Sequence, residues 1–437
     1  MGRWWGRGRC ARAMEIKQPA CQSVGRQFGV QWADFLSHSV PPWRESAVLA
    51  AHGLDGGYRG GSMGTSTLEF HAGLPRWGST LGSVTPMTSA PDRSMHSASD
   101  PMPHIPNDSL LATAIAAVVP ALPAVRLLGE TLASVPPIEK GDGSPVTAAD
   151  YVLQALVVAG LRARSADGRV PLLGEEHADV LATSGRPDVE RLVVDAIRSM
   201  LGWRDRAAAL RMIDGDEPRA GEPYWTIDPI DGTKGFLLGM QCSVCLARIE
   251  GSRTTVGVLG CPRMGSRGDM AVHTGGPGVI YAAARGTGAF ECDASGAVQS
   301  RLTLNAWNGS APRWARSLNR SKSAVPSRLE PCIAALGPFT NQEMDSQCKY
   351  ALLARGDADL VIRMPRAPGH SECIWDHASG TLIAEVAGAC ITDAHGRELD
   401  FSHGETLSAN VGIVCTARGL EARVLPALAA LAGAVPA

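Results

Sequence analysis

Apolar positions recur with two different periods along the chain beyond about residue 107. A helical period runs through 110–128, through 151–161 and through a stretch from about 187 to 210. Shorter apolar runs predict strands at 172–175, 225–230, 241–249, 255–260 and 278–285. This order of elements predicts an α+β half, 107–305.

From residue 306 to the end, short helices and strands alternate. The pattern predicts helices at 351–354 and 380–386, and strands at 360–363 and 412–415. Alternating elements of this kind are typical of α/β folds. We therefore expect the region 306–437 to form a second half of that class.

The first 106 residues show no sustained period and are rich in Gly, Ser, Pro, Arg and Trp. Six basic residues among the first thirty face a single acid, Glu15. We interpret 1–106 as a disordered leader. Its basic start is typical of an organelle transit segment, which would place the protein in a plastid or a mitochondrion. If the leader carries no targeting signal, we expect the protein to be cytoplasmic instead.

Charge and composition argue against two classes of partner. The net charge of −2 and the pI near 6.6 give no basic stripe of the kind that binds nucleic acid. The most apolar segment, 110–128, contains Pro120, Pro123 and Arg126. We therefore expect this segment to be a helix of the protein core, and we expect no membrane partner.

The eleven cysteines are scattered without the spacing of a disulfide framework. Cys242 and Cys245 form a CxxC pair, but they fall in a predicted strand, where residues at this spacing face opposite sides. We therefore expect no disulfide between them. Cys348 and Cys373 lie near the motifs described next and are the better candidates for oxidation.

One short segment, from Asp228 to Thr233, concentrates polar chemistry. It follows a predicted strand and holds the carboxylates of Asp228 and Asp231 together with the carbonyl of Ile230. A proline fixes the turn, and Gly232 lets the backbone approach a ligand closely. Oxygen ligands held in this way suit Mg²⁺ and a substrate phosphate. We expect Thr233 to cap the following helix; an ordinary surface turn is the alternative for such a segment taken alone.

Three further acids stand at the ends of predicted elements. Asp150 begins a helix, Glu175 ends a short strand, and Asp376 lies at the predicted N-cap of a later helix. A helix-start Asp taken alone is most simply a cap. Two carboxylates 4 Å apart repel by about 1 kcal/mol in water and by about 4 kcal/mol at an effective dielectric constant of 20. Two or more Mg²⁺ ions would offset the repulsion of the cluster, polarise a phosphoryl group and activate water.

Taken in order, these motifs resemble those of the lithium-sensitive, Mg²⁺-dependent phosphatase superfamily, which includes inositol monophosphatase and fructose-1,6-bisphosphatase. Within it, the chain looks most like the 3'(2'),5'-bisphosphate nucleotidases of the yeast and plant type. The resemblance extends from about 107 to 417. The segments that carry it are 140–150, 174–176, 228–237, 257–262, 345–350 and 374–380.

The resemblance implies a layered αβαβα fold, with the site between the two halves and with two or three Mg²⁺ ions as the cofactor. The implied metal ligands are Glu175, Asp228, Asp231, Asp376 and the carbonyl of Ile230. Asp150, together with the hydroxyl of Thr233, matches the acid that orients and deprotonates the attacking water. The positions that match substrate contacts are Gly232, Thr233, Ser346, Lys349, Arg363 and Asp376.

The implied reaction is hydrolysis of adenosine 3',5'-bisphosphate to AMP and phosphate, with 3'-phosphoadenylyl sulfate as a further substrate and Li⁺ as an inhibitor. The implied partner is a small nucleotide or inositol phosphate, and we expect a monomer or a weak homo-oligomer. An inositol monophosphatase or an inositol polyphosphate 1-phosphatase is the nearest alternative. A non-catalytic nucleotide-binding sensor is another.

Three departures from the family pattern concern the substrate. The His that the family carries in the segment matching 316–323 is absent, where only Arg320 or Lys322 offers a substitute cation beyond Arg316. Leu238 stands where an Arg is familiar, and Cys373 stands where a Lys is common. Fewer basic groups beside an anionic site would weaken binding of a doubly phosphorylated substrate, whereas the metal ligands are all present.

Overall fold

The computed structural model describes residues 104–107, 109–132, 135–140, 145–202, 205–266, 275–317, 325–365 and 369–432, and all of them belong to one compact unit. Most of the predicted leader, 1–106, lies outside the described residues, as do Arg320 and Lys322. The helices and strands below are therefore those of the described part of the chain.

The first sheet has seven strands, with helices along the same part of the chain. These helices are α1 (Leu110–Val118), α2 (Ala121–Thr131), α3 (Ala148–Arg162), α4 (Ala178–Thr183), α5 (Pro187–Leu201), α6 (Arg206–Asp214) and the short α7 (Thr233–Leu237). The strands, in spatial order, are β3 (Leu172–Gly174), β4 (Tyr224–Asp231), β5 (Ser243–Glu250), β6 (Arg253–Cys261), β7 (Val279–Ala284), β8 (Gly288–Asp293) and β9 (Val298–Leu302). β3 and β4 are parallel, and every later neighbour pair is antiparallel. A separate antiparallel pair, β1 (Ile138–Glu139) and β2 (Pro145–Val146), precedes α3.

The second sheet has five strands in the spatial order β11-β10-β12-β14-β13. Its strands are β10 (Arg313–Arg316), β11 (Thr340–Glu343), β12 (Leu360–Arg363), β13 (Cys390–Thr392) and β14 (Ile413–Thr416). The helices of this region are α8 (Val325–Ala334), α9 (Cys348–Ala354), α10 (Ala378–Ala387) and α11 (Glu421–Ala432). β10 is parallel to β11 and β12, while β14 is antiparallel to β12 and β13.

Three buried clusters stack these elements into layers. The first packs helices from the α1–α6 region against one face of the seven-stranded sheet. The second joins the opposite face of that sheet to α9 and α10 and to one face of the five-stranded sheet. The third covers the remaining face of the five-stranded sheet with α8 and α11. The order helix, sheet, helix, sheet, helix confirms the predicted αβαβα fold.

The alternation along β5 shows how the sequence produces two of these layers. Val244 and Leu246 belong to the first cluster, whereas Cys245 and Ala247 belong to the second. Successive side chains of a strand point to opposite faces, so one strand supplies both cores. Cys242, just before β5, lies in the first cluster, and its thiol and that of Cys245 are free. The prediction that the CxxC pair faces opposite sides is confirmed.

Two predicted helices are each divided in the structure. The segment 110–128 contains both α1 and α2, and Pro120 lies at the N-cap of the second with φ −65°. Proline lacks the N–H that a continuous helix requires at this point. The stretch 187–210 divides into α5 and α6, because Gly202 ends α5 in the left-handed conformation.

The segment Leu110–Thr131 passes a test of length and composition for a membrane span, the only one of the described residues to do so. Half of its most apolar window is buried inside the molecule, and its residues belong to the first core cluster. Core helices of water-soluble proteins satisfy the same test, so the segment by itself does not indicate a membrane protein.

Candidate active site

The end of β4 brings two predicted metal ligands together. The pairing of β4 with β5 shifts register between Asp228 and Asp231, as at a β-bulge, and such irregularities redirect side chains at strand ends. Asp228 Oδ1 accepts a hydrogen bond of 3.0 Å from the N–H of Ile230, which fixes the turn. Oxygen atoms of Asp228, Asp231 and Asp376 lie within 4.8 Å of one another. The structure therefore joins acids from two distant motifs.

The turn after β4 differs in one detail from the prediction. Thr233 was expected to cap the following helix, but Gly232 is the N-cap of α7 and Thr233 is its first residue. The Thr233 hydroxyl instead donates to the carbonyl of Ile230 at 3.1 Å, so two predicted site groups contact each other. Gly232 has φ 88°, and an added Cβ there would lie 3.1 Å from Cβ of Ser346. A glycine therefore lets the β4 turn and the Ser346 segment approach closely.

Asp150 lies in the first turn of α3 but is not its N-cap. Thr147 is the N-cap, and Asp150 is the third residue of a capping box. Asp150 Oδ2 accepts hydrogen bonds from the backbone N–H of Thr147 at 2.8 Å and from its hydroxyl at 2.6 Å. Burial raises the pKa of Asp150 to about 7, against the effect of these two bonds. A carboxyl group with such a pKa can accept or release a proton near neutral pH.

Glu175 follows β3, and its backbone N–H donates to the carbonyl of Ile227 in β4 at 3.1 Å. Its carboxyl group reaches the cluster, because its charge and its acceptance of a hydrogen bond from protonated Asp228 both raise the pKa of Asp228. Lys140 Nζ lies 2.9 Å from Glu175 Oε1 and 2.7 Å from Glu176 Oε1. Burial opposes the charge of Lys140, but the two acids outweigh it and raise its pKa. Sequence reasoning did not assign a role to Lys140, although the motif 140–150 begins with it.

Asp376 is also displaced from its predicted place. It was expected to be an N-cap, but His377 is the N-cap of α10 and makes no side-chain capping bond. The Asp376 carboxylate is therefore not used as the N-cap of α10, and it lies close to the carboxylates of Asp228 and Asp231. Burial raises the pKa of Asp376 to about 7, with added repulsion from Asp231 and Glu175 and an opposing effect of His377.

The donor set fits a divalent cation. Burial, followed by repulsion from Glu175 and Asp231, raises the pKa of Asp228 well above its usual range. Burial likewise raises the pKa of Asp231, although Lys349 and the N–H of Gln347 oppose this. Acids held this close without a cation are costly to ionise, and a bound cation would reverse that cost. Carboxylate and carbonyl oxygens are the ligands that Mg²⁺ and other hard cations prefer.

Three predicted substrate residues border this acidic cluster. Ser346 has φ 63°, and its hydroxyl accepts a hydrogen bond of 3.2 Å from the N–H of Cys348 at the start of α9. Lys349 Nζ donates to the Ser346 carbonyl at 2.7 Å and to the Ser317 hydroxyl at 3.2 Å. Burial lowers the pKa of Lys349. The charges of Lys349 and Arg363 both act on Asp231, so these two cations face the acids.

Arg363 belongs to a buried chain of polar groups that sequence reasoning did not identify. Its Nε lies 3.1 Å from both carboxylate oxygens of Glu372. His377 Nε2 lies 3.4 Å from the same carboxylate, and His377 Nδ1 lies 2.8 Å from the hydroxyl of Tyr350. Burial opposes ionisation of Glu372, but His377 and Arg363 outweigh it and lower the pKa of this acid. In the sequence, Arg363 was a predicted substrate contact, and Tyr350 and His377 lie within the motifs 345–350 and 374–380, but no pattern linked these residues to Glu372.

Two of the departures from the family pattern can be located. Leu238 follows α7 and is 70% exposed, so it presents an apolar side chain to solvent. Cys373 is partly buried, and burial raises the pKa of its thiol to about 12. Cys348 is fully buried, and its sulfur lies 3.5 Å from that of Cys261. Neither cysteine therefore combines a low thiol pKa with exposure, the usual condition for ready oxidation.

Comparison with known proteins agrees with this geometry. The model of the Inositol monophosphatase family matches residues 108–431. A 3'(2'),5'-bisphosphate nucleotidase of Schizosaccharomyces pombe is 33% identical over 314 residues, covering 68% of this chain and 88% of that protein. A Dictyostelium discoideum protein of the same name is 35% identical, covering 70% and 92%. The solved structure of a Thermotoga maritima IMPase has a TM-score of 0.51 at 17% identity, covering 75% of this chain and 99% of that one, which supports the fold alone.

Proposed function

We propose that this chain, which belongs to the inositol monophosphatase family, is a Mg²⁺-dependent phosphomonoesterase that converts adenosine 3',5'-bisphosphate to AMP and phosphate. The observation that carries the proposal is the convergence of Asp228, Asp231 and Asp376 beside two cations, Lys349 and Arg363. Carboxylates that can bind metal, next to cationic side chains that can bind a second phosphate, form a site suited to a bisphosphate substrate. The names of the relatives support the same substrate.

In this proposal Mg²⁺ is held by Glu175, Asp228, Asp231, Asp376 and the carbonyl of Ile230. When bound, it supplies positive charge that polarises the phosphoryl group and acidifies nearby water. The protein places these oxygens by the β4 irregularity, the Asp228 turn and the β3–β4 pairing. Lys140 balances Glu175 from the side of α3 and so limits the negative charge of the site.

Asp150 is the proton acceptor of the proposed reaction. Its Oδ2 is held by Thr147, while its Oδ1 accepts no hydrogen bond from the described residues and is left for water. A pKa near 7 keeps much of this carboxyl group ionised at neutral pH. Thr233, whose hydroxyl contacts the Ile230 carbonyl, lies on the same turn as the metal ligands and helps to orient the water.

The substrate is held by Ser346, Lys349 and Arg363, with Gly232, Thr233 and Asp376 at the reacting phosphate. Arg363 is oriented by Glu372, which limits its rotation before a ligand arrives. Lys349, partly buried and with a lowered pKa, offers a compact cation to a phosphate oxygen.

A phosphate-release assay on the full chain tests the proposal. We expect Mg²⁺-dependent release from adenosine 3',5'-bisphosphate, loss of release in excess EDTA and inhibition by millimolar Li⁺. Asp150→Asn should bind substrate but release little phosphate, whereas Asp167→Asn, an exposed change on a different turn, should act as the native chain does. Tight nucleotide binding by the native chain without any turnover would contradict the enzyme and favour a sensor.

Inositol phosphates are the second candidate substrate, and one observation favours them. The exposed Leu238 stands in place of a basic residue, which reduces the positive charge available for a second phosphate. Assaying inositol 1-phosphate and inositol 1,4-bisphosphate in parallel separates the two functions. A higher kcat/KM for inositol 1-phosphate than for the nucleotide would assign the chain to inositol phosphate hydrolysis.

A further inference from the structure

We propose that Gln347 is a positioning residue that fixes the metal ligands Asp231 and Asp376 relative to each other. This inference rests on the proposed function, because it concerns the same site. Gln347 lies between Ser346 and α9 and is 1% exposed. It makes contacts on both sides of the acidic cluster.

The backbone of Gln347 holds Asp231. Its N–H donates to Oδ2 of Asp231. The same carboxylate oxygen receives a longer hydrogen bond, 3.4 Å, from the Ser243 hydroxyl. An N–H bond to a carboxylate fixes the orientation of the acid and leaves Oδ1 available as a metal ligand.

The side chain of Gln347 holds the segment that carries Asp376. Its Nε2 donates to the carbonyl of Trp375 at 2.7 Å, and its Oε1 accepts from the Ser379 hydroxyl at 2.8 Å and from the Gly380 N–H at 3.0 Å. These three bonds surround Asp376 on both sides along the chain. They use both lone pairs of the amide oxygen and one of the two amide hydrogens.

A single residue therefore connects two acids that the chain separates widely. The bond from Gln347 to Asp231 spans 116 residues, whereas its side chain reaches the loop before α10. Since Ser346 and Lys349 are its neighbours along the chain, the same residue couples the nucleotide contacts to the metal ligands. Buried and bonded to both segments, it acts through these groups and does not itself touch the reacting atoms.

Replacing the amide while keeping its volume isolates its hydrogen bonds. Gln347→Met retains the backbone N–H to Asp231 but loses all three side-chain bonds, so only the Asp376 segment is released. The matched control is Gln299→Met, the same change on the exposed part of β9. Ser379→Ala removes one of the three bonds and is the milder second variant.

Mg²⁺ binding is measured by isothermal titration calorimetry without substrate, alongside kcat and KM for adenosine 3',5'-bisphosphate. We expect Gln347→Met to weaken Mg²⁺ binding by about tenfold, since loss of the outer hydrogen-bond partners that orient metal ligands costs about tenfold to a hundredfold in metal affinity. Saturating Mg²⁺ should restore part of kcat, and Ser379→Ala should shift the Mg²⁺ dissociation constant in the same direction by a smaller factor. Gln299→Met should bind Mg²⁺ as the native chain does.

Native Mg²⁺ affinity in a folded Gln347→Met would overturn the inference. If that variant shows no cooperative unfolding, Ser379→Ala decides, and native affinity there overturns the inference equally. The proposed function fails in a different way: a native chain that binds Mg²⁺ but does not hydrolyse the nucleotide leaves the calorimetric test of Gln347 intact.

Discussion

Gly380 allows α10 to pack directly against Tyr350, and its replacement by alanine tests this packing. A Cβ on Gly380 would lie 2.7 Å from Cγ and 2.9 Å from Cβ of Tyr350, and closer still to Cδ2. Tyr350 is 2% exposed, and its hydroxyl is bonded to His377, so the ring has little room to move. The helix and the ring must therefore separate in the variant.

Two opposing effects set the magnitude. Alanine is favoured over glycine within a helix by about 1 kcal/mol. Overpacking a buried contact costs about 1–3 kcal/mol, and three simultaneous overlaps place Gly380→Ala at the upper end. We therefore expect a net loss of unfolding free energy of about 2 kcal/mol. The Gly380 N–H also bonds Gln347, so the same movement should lower kcat/KM by about tenfold to a hundredfold.

Urea denaturation in EDTA measures the first effect, and phosphate release measures the second. We expect a lower midpoint with an unchanged slope, since the surface exposed on unfolding stays the same. Glu385→Ala on the same helix is the control, because it removes only a half-exposed ion pair with Arg285 and should cost less than about 1 kcal/mol. A Gly380→Ala protein as stable as the native one would show that helix propensity outweighs this contact, and the packing argument would be wrong.

Three further predictions concern charged groups. Asp231→Ala should abolish Mg²⁺-dependent turnover while leaving the circular dichroism spectrum native, because it removes a ligand and little core volume; retained turnover would refute its role. In EDTA, the pKa of Asp150 is about 7 in the folded protein, against an ordinary 3.8, so the folded protein binds this proton more tightly than the unfolded chain does. The free energy of unfolding therefore includes a contribution from the bound proton that is complete below about pH 4 and is lost as pH rises to about 7. Asp376, whose pKa burial also raises to about 7, contributes to the same slope. Asp150→Asn should therefore make the slope in urea melts smaller, and an identical slope in both proteins would contradict the assignment. Glu372→Gln should cost about 2 kcal/mol, because it removes the buried charge partner of Arg363, whose own side chain is 31% exposed. Glu398→Gln, in an exposed pair, should change stability little, and equal melting temperatures for the two variants would contradict this.

The local sequence pattern was sufficient to predict the helices and strands whose apolar residues recur with a clear helical or strand period. The strand 360–363 coincides with β12, and the predicted strands 172–175 and 225–230 locate β3 and β4 to within one residue at each end. β9 was not predicted, because its sequence Val-Gln-Ser-Arg-Leu has only two apolar residues and pairs with β8 at the sheet edge. α11 was missed as well, since Pro426 within it argues against a helix. Tertiary packing, and not the local sequence pattern, therefore determines the positions of β9 and α11.

The same distinction applies to the site. Acids in the turn 228–233 and at 150, 175 and 376 could be identified from local motifs, since each follows or begins an element. The role of Lys140 depends on Glu175, 35 residues further along the chain. Glu372 contacts Arg363 of β12 and His377 of the α10 N-terminus, and only the folded loop between these two elements brings the three side chains together. The cap positions of Thr233 and Asp376 were wrong by one residue, because Gly232 and His377 begin those helices. No local pattern distinguishes these choices.

The wide sequence separation between Asp231 and Gln347 has a consequence for how the molecule is made. Their hydrogen bond closes a loop of 116 residues, and closing such a loop costs chain entropy before any contact rewards it. High contact order of this kind slows folding and places completion of the site late in the process. During synthesis, a nascent chain that has not yet extended beyond α10 lacks Asp376 in its folded place. A cation site that includes Asp376 would therefore be complete only after the chain has extended beyond α10.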